Sequence, residues 1–300
     1  MRAVVLNSFA GIDGLELSEV PDPTPADGEQ LVRVRAASIG PWDIANAHGA
    51  FVAAGGSGKF PQVQGWDFAG ETADGRRVAG FVPQPWMGVG ALAEQISVPA
   101  AILTPLPDGL EFVDASALPV CGLTARLLVD AVAVGDGDVV LVTGAAGMVG
   151  GFVVQLASGR GAHVVAGVRG GDADEARRMG AESAFDTAGD LKGAIRGAWP
   201  DGVDAVIDTV GLGAEGLACV RDGGAFVTSV PTAVPEAERG IAPQTVQVQP
   251  DANALAELVD RAATGELTAR IAEVLPLERF RDAFGRLERG GLRGKIVLTP

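Results

Sequence analysis

The stretch Val139-Val140-Leu141-Val142-Thr143-Gly144-Ala145-Ala146-Gly147-Met148-Val149-Gly150 decides the fold. Its first four residues form an uninterrupted apolar run, which is typical of a strand buried on both faces. Small residues follow at once, and an apolar helical pattern runs from Met148 to Ser158. A strand, a tight turn and a helix in this order predict the first βα unit of a parallel, doubly wound sheet.

Strands and helices continue to alternate after this unit. Apolar runs predict strands at His163–Val168, Val203–Ile207 and Ala225–Ser229, and a helical pattern covers Ala173–Met179. Such alternation is typical of a Rossmann domain, in which helices cover both faces of a parallel sheet.

The first 110 residues show a different sequence pattern. Short alternating segments such as Arg2–Leu6, Leu31–Ala37 and Leu92–Val98 are separated by Pro and Gly, which indicates an irregular, mostly antiparallel β domain. The closing strand, Lys295–Leu298, is predicted to return to this domain. The expected fold class is therefore α/β, with a Rossmann domain at 114–249 inserted into a β domain formed by 1–113 plus 250–300.

The acidic composition limits the partners of the chain. A formal net charge of -15 and a pI near 4.5 oppose binding to nucleic acid and to anionic membranes. No apolar run approaches the roughly 20 residues of a transmembrane helix. The N-terminus enters a strand pattern without the apolar core of a signal peptide, so we expect a cytoplasmic protein.

The sequence holds two cysteines and two histidines. Their spacings match no zinc-ligand pattern, so we predict that the protein binds no metal. Cys121 and Cys219 are interpreted as buried thiols, although a disulfide between them stays open.

The turn after the first strand is the strongest chemical signal. Ala145, Gly147 and Gly150 occupy the three small-residue places of the dinucleotide fingerprint, so that backbone N–H groups at a helix N-terminus can approach a pyrophosphate. A tight strand–helix crossing without a ligand is the alternative. The predicted contacts with the dinucleotide are Gly144, Ala145, Ala146, Gly147, Met148 and Val149.

The second predicted strand ends at Arg169, about 20 residues past the glycines, where NAD enzymes commonly carry an acidic residue for the ribose. A carboxylate there would repel a 2′-phosphate, whereas a guanidinium can bind it with two hydrogen bonds. Arg169 therefore predicts NADPH as the cofactor, with a solvated strand-end arginine as the alternative.

Eight collinear segments resemble the zinc-independent quinone oxidoreductase branch of the medium-chain dehydrogenase/reductase superfamily. They are Gly40-Pro41-Trp42-Asp43, Gly65-Trp66-Asp67-Phe68-Ala69-Gly70, Ala93-Glu94, Leu118-Pro119 through Gly122-Leu123-Thr124-Ala125, Gly144 through Gly150, Met179-Gly180-Ala181, Asp208-Thr209-Val210-Gly211, and Arg293-Gly294-Lys295-Ile296-Val297-Leu298. The resemblance implies a GroES-like first domain and hydride transfer from NADPH to a quinone or an α,β-unsaturated carbonyl compound.

The resemblance also assigns individual positions. The zinc dehydrogenases of the superfamily have ligands at the places of Gly40 and Trp66, and Cys121 is displaced by one position from a third. Cofactor contacts are implied for Thr124, Thr209, Val210, Gly211, Ser229 and Val230, and for Lys295 at the pyrophosphate unless it is a solvated strand-end lysine. The sequence departs from its relatives in having Gly in place of Asn at position 40 and in having no tyrosine, so no catalytic residue is assigned.

Three tryptophans of the first domain suggest a flat, apolar acceptor site. Trp42, Trp66 and Trp86 are candidate pocket residues, with core packing as the alternative for each. His48 is a candidate proton donor or an exposed loop residue, and Asp43 is expected to accept backbone hydrogen bonds beneath the pocket.

Two other functions stay open. One is a standalone enoyl-thioester reductase, and the other is a catalytically silent nucleotide-binding or sensing protein. The alternating segment Thr245–Val248 has the character of an edge strand, through which relatives pair, and a homodimer is therefore expected.

Overall fold

The computed structural model describes all 300 residues and divides them into two compact units. The first consists of residues 1–120 and 249–300, and the second of residues 121–248. The sequence analysis places the corresponding divisions after residues 113 and 249. None of the helices combines the length and the apolar character that crossing a bilayer requires.

Two sheets form the framework of the first unit. The strands of this unit are β1 (Arg2–Leu6), β2 (Leu15–Glu19), β3 (Glu29–Ile39), β4 (Gln62–Val63), β5 (Asp67–Thr72), β6 (Arg77–Phe81), β7 (Gln95–Pro99), β8 (Thr104–Pro105), β15 (Ile271–Pro276) and β16 (Lys295–Thr299). One sheet has seven strands in the order β15-β16-β3-β5-β6-β8, with β7 also paired to β3. The other is an antiparallel sheet of three strands in the order β2-β1-β4.

The C-terminal strand returns to the first unit, as predicted. β16 pairs antiparallel with β3, so that Ile296 lies opposite Ile39. The helices of this unit are α1 (Pro41–Ala47), α2 (Gln84–Met87), α3 (Phe112–Ser116), α9 (Ala252–Ala263) and α10 (Phe280–Glu288). In α9 the carboxylate of Asp251 caps the N–H of Ala254 at 2.9 Å, and the buried face carries Leu255, Leu258 and Val259.

The second unit contains a parallel sheet of six strands and five helices. The strands are β9 (Val139–Thr143), β10 (His163–Val168), β11 (Ser183–Asp186), β12 (Val203–Asp208), β13 (Val220–Thr228) and β14 (Gln244–Thr245). The helices are α4 (Pro119–Ala131), α5 (Met148–Ser158), α6 (Ala173–Arg178), α7 (Leu191–Ala198) and α8 (Ala214–Leu217), of which α4 begins at the division between the units. The strand order β11-β10-β9-β12-β13-β14 is the doubly wound order of a Rossmann domain, with the reversal between β9 and β12.

The predicted fold class is thus confirmed, with local corrections. The predicted strand Leu92–Val98 begins only at Gln95, because Leu92 donates its N–H to the carbonyl of Gln64 at 2.7 Å before the chain joins β3. The predicted edge segment Thr245–Val248 is a strand only at its first residue, since β14 ends at Thr245. Cys121 and Cys219 are both buried, and neither forms a disulfide.

Candidate functional site

A four-residue turn joins β9 to α5 in the second unit. Gly147 donates its N–H to the carbonyl of Gly144 at 2.8 Å, and α5 begins at Met148. The first N–H groups of a helix have no acceptor within the helix, and the helix dipole places partial positive charge there. The turn therefore presents backbone donors suited to a phosphate group.

Two glycines, one in this turn and one in the first turn of α5, are required by close contacts. Gly144 has a φ of +66°, and a Cβ there would lie 2.4 Å from Cγ1 of Val210. A Cβ at Gly150 would lie 2.1 Å from the carbonyl oxygen of Gly144, so only glycine lets α5 approach β9 this closely. Ala145, between them in sequence, is fully buried.

A buried carboxylate organises the neighbouring strand end. Asp208 Oδ1 accepts the hydroxyl of Thr143 at 2.6 Å and the N–H groups of Val210 and Gly211 at 3.2 and 3.0 Å, and Oδ2 accepts the N–H of Gly213 at 3.0 Å. Asp208 thus holds the loop after β12 against the end of β9. The sequence analysis gave this residue no role, although an acidic residue closing an apolar strand is a usable signal.

The structure places most of the predicted cofactor residues at the carboxyl ends of neighbouring strands of the six-stranded sheet. Thr209 donates its hydroxyl to the carbonyl of Thr143 at 2.7 Å, and Ser229 donates its N–H to the carbonyl of Asp208 at 3.0 Å. A Cβ at Gly211 would lie 3.4 Å from Val230. These contacts lie at the carboxyl ends of β9, β12 and β13, where doubly wound sheets bind ligands. Thr124 lies half-buried in α4.

Arg169 lies exposed just after β10, the strand next to β9. It makes no ion pair in the structure, and Cβ atoms added at Gly170 and Gly171 would meet nothing within 4 Å. The open surroundings leave its guanidinium free to reorient. The turn and the braced loop together fit a dinucleotide, and a phosphate contact for Arg169 stays a prediction.

The first unit contains a cluster of aromatic side chains, which we call the aromatic cluster. It joins the three predicted tryptophans to two phenylalanines that the sequence analysis did not include: Trp42, Phe51, Trp66, Phe81 and Trp86. Trp66 is central, with ring centroids 6.2 Å from Trp42, 5.8 Å from Phe51 and 6.2 Å from Trp86. Phe51 was not predicted because it lies in a Gly- and Ala-rich loop that has no periodic apolar pattern.

The aromatic cluster reaches from the core to the surface. Trp66 is 7% exposed and Trp86 is 43% exposed. The indole N–H of Trp86 donates to the carbonyl of Ala54 at 3.2 Å, which ties the loop around Phe51 to α2. An apolar, mostly aromatic surface of this kind suits a flat ligand.

Charged groups are buried beside the aromatic cluster. Lys295 Nζ lies 3.1 Å from Asp67 Oδ2 and 4.2 Å from the ring centroid of Trp42. Asp67 Oδ1 also accepts the N–H of Val120 at 2.8 Å. Burial raises the pKa of Asp67, and the ammonium of Lys295 and the hydrogen bond from Val120 oppose that rise.

Asp43, in α1, is a further buried acidic residue, and it interacts with the charges of Lys295 and Asp67. Its Oδ2 accepts the N–H of Gly40 at 2.8 Å, whereas its Oδ1 is buried without a hydrogen-bond partner. Burial raises the pKa of Asp43 to about 7, and the hydrogen bond from Gly40 and the charge of Lys295 limit the rise. The carboxyl group is therefore partly protonated near neutral pH.

Lys295 is buried, which contradicts its alternative interpretation as a solvated strand-end lysine, whereas His48 is exposed, in agreement with its alternative interpretation as an exposed loop residue. Lys295 is only 3% exposed and is paired with Asp67 inside the first unit, so a pyrophosphate contact for it stays a prediction. His48 is exposed at the end of α1, where its ring lies against Gly11 and its Nε2 lies 3.5 Å from Glu288. The structure shows it among these residues and not in the aromatic cluster.

Comparisons with known proteins agree with this arrangement. The family model described as "Zinc-binding dehydrogenase" matches residues 179–298. The quinone oxidoreductase of Thermus thermophilus, solved alone and with NADPH, is 31% identical over 100% of both chains, with a TM-score of 0.84. The chain belongs to the quinone oxidoreductase-like branch of the medium-chain dehydrogenase/reductase family. It is therefore an oxidoreductase.

Two curated relatives of this medium-chain dehydrogenase/reductase are named as a reductase and an oxidoreductase. The 2-methylene-furan-3-one reductase of Solanum lycopersicum is 28% identical over 100% of this chain and 79% of its own. The NADPH-dependent alkenal/one oxidoreductase, chloroplastic, of Arabidopsis thaliana is 28% identical over 100% of this chain and 80% of its own.

The residues of this family member do not fit a zinc site. No three His, Cys, Asp or Glu side chains converge to hold a metal ion. The positions where zinc dehydrogenases carry ligands are Gly40, Trp66 and, displaced by one, Cys121. Trp66 is instead the centre of the aromatic cluster, and Cys121 is buried without a metal-ligand neighbourhood.

Proposed function

We propose that the protein is an NADPH-dependent reductase of quinones or α,β-unsaturated carbonyl compounds that works without a metal. The observation that carries the proposal is the turn from Gly144 to Gly147, which leads from β9 directly into the N-terminus of α5 and so offers backbone N–H groups to a pyrophosphate. The named activities of the tomato, Arabidopsis and Thermus relatives support the same assignment.

Arg169 supports NADPH over NADH. Its side chain is exposed, and the two glycines that follow it leave space around the guanidinium. Arg169 stands where NAD enzymes commonly carry the acidic residue that binds the ribose hydroxyls. Charge-assisted hydrogen bonds from a guanidinium to a phosphate are about 1.5–3 kcal/mol each. The Arabidopsis relative is named for NADPH, and the Thermus structure is a complex with it.

The chain supplies binding and orientation, and the bound nicotinamide supplies the hydride. Acceptors with a conjugated carbonyl need no Lewis acid, because their oxygen takes up the charge that develops on hydride addition. The aromatic cluster offers such acceptors flat apolar faces and keeps water from them. Without tyrosine in the chain, the proton that completes the product comes from solvent or from another side chain.

Calorimetry with NADPH and NADH, followed by assays of NADPH oxidation, tests the proposal. We expect tight binding of NADPH, weaker binding of NADH, and turnover with a simple quinone or an aryl enone. Turnover confined to an enoyl thioester would move the function to enoyl-thioester reduction. Tight binding without turnover on any acceptor would identify a nucleotide-binding protein, and no heat with either nucleotide would remove the proposal.

We also propose that the protein forms a homodimer. β14 closes one edge of the six-stranded sheet, and both of its residues are exposed. An unpaired edge strand can pair with its copy about a two-fold axis. Light scattering should give twice the chain mass of 30.4 kDa, and a mass of one chain at micromolar concentration contradicts the dimer.

A further inference from the structure

A cavity of about 160 Å³ lies within the first unit and shares no residue with the aromatic cluster. One side of its wall consists of Leu110, Asp114 and Leu118, which lie in and beside α3. The other side is formed by residues between Ala262 and Ala269, where the chain leaves α9 and approaches β15. Every residue of the wall belongs to the first unit.

Hydrogen bonds within the first unit fix both sides of this cavity. Arg77, in β6, donates to the carbonyl of Leu110, and its guanidinium lies 4.6 Å from the ring centroid of Phe112. On the other side, Leu267 donates its N–H to the carbonyl of Arg261 at 3.1 Å, which folds the chain back against the end of α9. The cavity is therefore part of the folded unit and needs no rearrangement to form.

The wall is apolar except at few positions, and one of these is an acidic residue without a partner. Leu110, Leu118 and Leu267 are buried, whereas Asp114 is half-buried and forms no ion pair and no side-chain hydrogen bond. Burial raises the pKa of Asp114, the negative charge of Glu111 adds to the rise, and no cation of the chain offsets it. The carboxylate therefore lacks both part of its hydration and a counter-charge.

The end of α9 adds negative potential to the same cavity. This helix has 12 residues, and Ala262, in its last turn, is part of the wall. The aligned peptide dipoles of a helix place partial negative charge at its C-terminus, where cations bind favourably. Arg261 lies in the same turn, but its guanidinium is paired with Glu266 at 3.6 Å. The cavity therefore favours a ligand that is apolar and carries one positive charge.

We propose that this cavity binds a small organic ammonium ion, with its ammonium group on Asp114 and its hydrocarbon body against Leu110, Leu118 and Leu267. A cavity of about 150 Å³ can hold a benzene ring, which sets the size of the amine. Hydrogen bonds from an ammonium to a carboxylate are roughly twice as strong as neutral ones. The site does not depend on the proposed function, because it uses neither the turn from Gly144 to Gly147 nor the aromatic cluster.

NMR titration of the full chain tests the proposal. Benzylammonium is the probe, and benzyl alcohol, which has nearly the same shape without the charge, is the control ligand. Each is added near neutral pH to ¹⁵N-labelled protein. We expect the amide signals of Leu110, Asp114, Leu267 and Ala269 to shift with the ammonium. Its Kd should be about 10- to 100-fold lower than that of the alcohol, given one charge-assisted contact.

Three variants separate the charge, the space and the acidic surface. Asp114→Asn keeps the shape of the wall and should lower the affinity for the ammonium to that for the alcohol. Ala262→Leu keeps the carboxylate but fills the cavity, and it should abolish the shifts with both ligands. Asp27→Asn is the matched control, because it removes an exposed carboxylate of the same unit, and it should leave both affinities unchanged.

The titration of Asp114 itself gives a second readout. A bound ammonium favours the ionised carboxylate, so saturation with benzylammonium should lower the pKa of Asp114, whereas benzyl alcohol should not lower it. Carboxyl ¹³C shifts measured against pH, with Asp114→Asn for assignment, follow this change.

Several results would overturn the site. They are equal Kd values for the ammonium and the alcohol, an unchanged ammonium affinity in Asp114→Asn, and the absence of any shift at millimolar ligand. Shifts spread over exposed carboxylates and lost equally in Asp27→Asn would show that the ammonium binds the acidic surface and not this cavity.

Discussion

Asp43 shows how a single buried residue links protonation to stability. Its carboxyl group is fully buried, with one oxygen hydrogen-bonded to Gly40 and the other unpaired. Burial raises its pKa to about 7 in the folded chain, against about 3.9 in an unfolded one. The folded state therefore binds this proton more tightly. Its contribution to stability is complete below about pH 4 and is lost as the pH rises through about 7.

Asp43→Asn should remove that dependence. The amide oxygen can still accept the N–H of Gly40, and the side chain no longer has to carry a buried charge at neutral pH. We expect the stability difference, variant minus wild type, to grow between about pH 4 and about pH 7, by up to about 1.4 kcal/mol per pH unit. Urea unfolding at several pH values measures it, and a difference that is constant with pH contradicts the raised pKa.

Arg169 is the residue that should set cofactor preference. Arg169→Asp replaces a cation with an anion at the strand end where a 2′-phosphate is expected. We expect the ratio of NADPH to NADH affinity to fall by about 10- to 1000-fold, given two charge-assisted bonds. Arg177→Asp is the matched control, because Arg177 already pairs with Asp174 on the surface of α6. An unchanged ratio in Arg169→Asp would reject the cofactor assignment.

At the scale of elements, the contact between β9 and α5 depends on a missing side chain. A Cβ at Gly150 would lie 2.1 Å from the backbone carbonyl of Gly144, and a backbone atom cannot swing aside as a side chain could. Gly150→Ala must therefore move the helix away from the strand, and with it the donors of the turn.

We expect Gly150→Ala to lower the free energy of unfolding by about 1–3 kcal/mol, as overpacking does, and to weaken NADPH binding. Gly197→Ala is the matched control within a helix, because a Cβ at Gly197 would meet nothing within 4 Å. There alanine should be neutral or stabilising by up to about 1 kcal/mol. Chemical denaturation and calorimetry measure both, and equal effects in the two variants contradict the packing argument.

Across the whole molecule, the sequence predicts best where a local pattern determines the structure. The helix Met148–Ser158 and the strand His163–Val168 coincide with the predicted bounds, since each is a continuous apolar pattern between turn residues. Short elements of the first unit, such as α1 and β4, were not predicted because long-range contacts stabilise them. The role of Asp208 depends likewise on residues brought together by folding.

Net charge is a property of the whole molecule and leads to the last prediction. With 38 acidic and 23 basic residues, the folded chain repels itself, and salt should screen that repulsion. Surface ion pairs act in the opposite sense, but exposed pairs such as Arg177–Asp174 each contribute only about 0–1 kcal/mol. We therefore expect Tm at pH 7 to rise as NaCl increases from about 10 to about 150 mM. Choline chloride should act equally if screening is the cause, whereas a falling Tm would mean that local pairs outweigh the net charge.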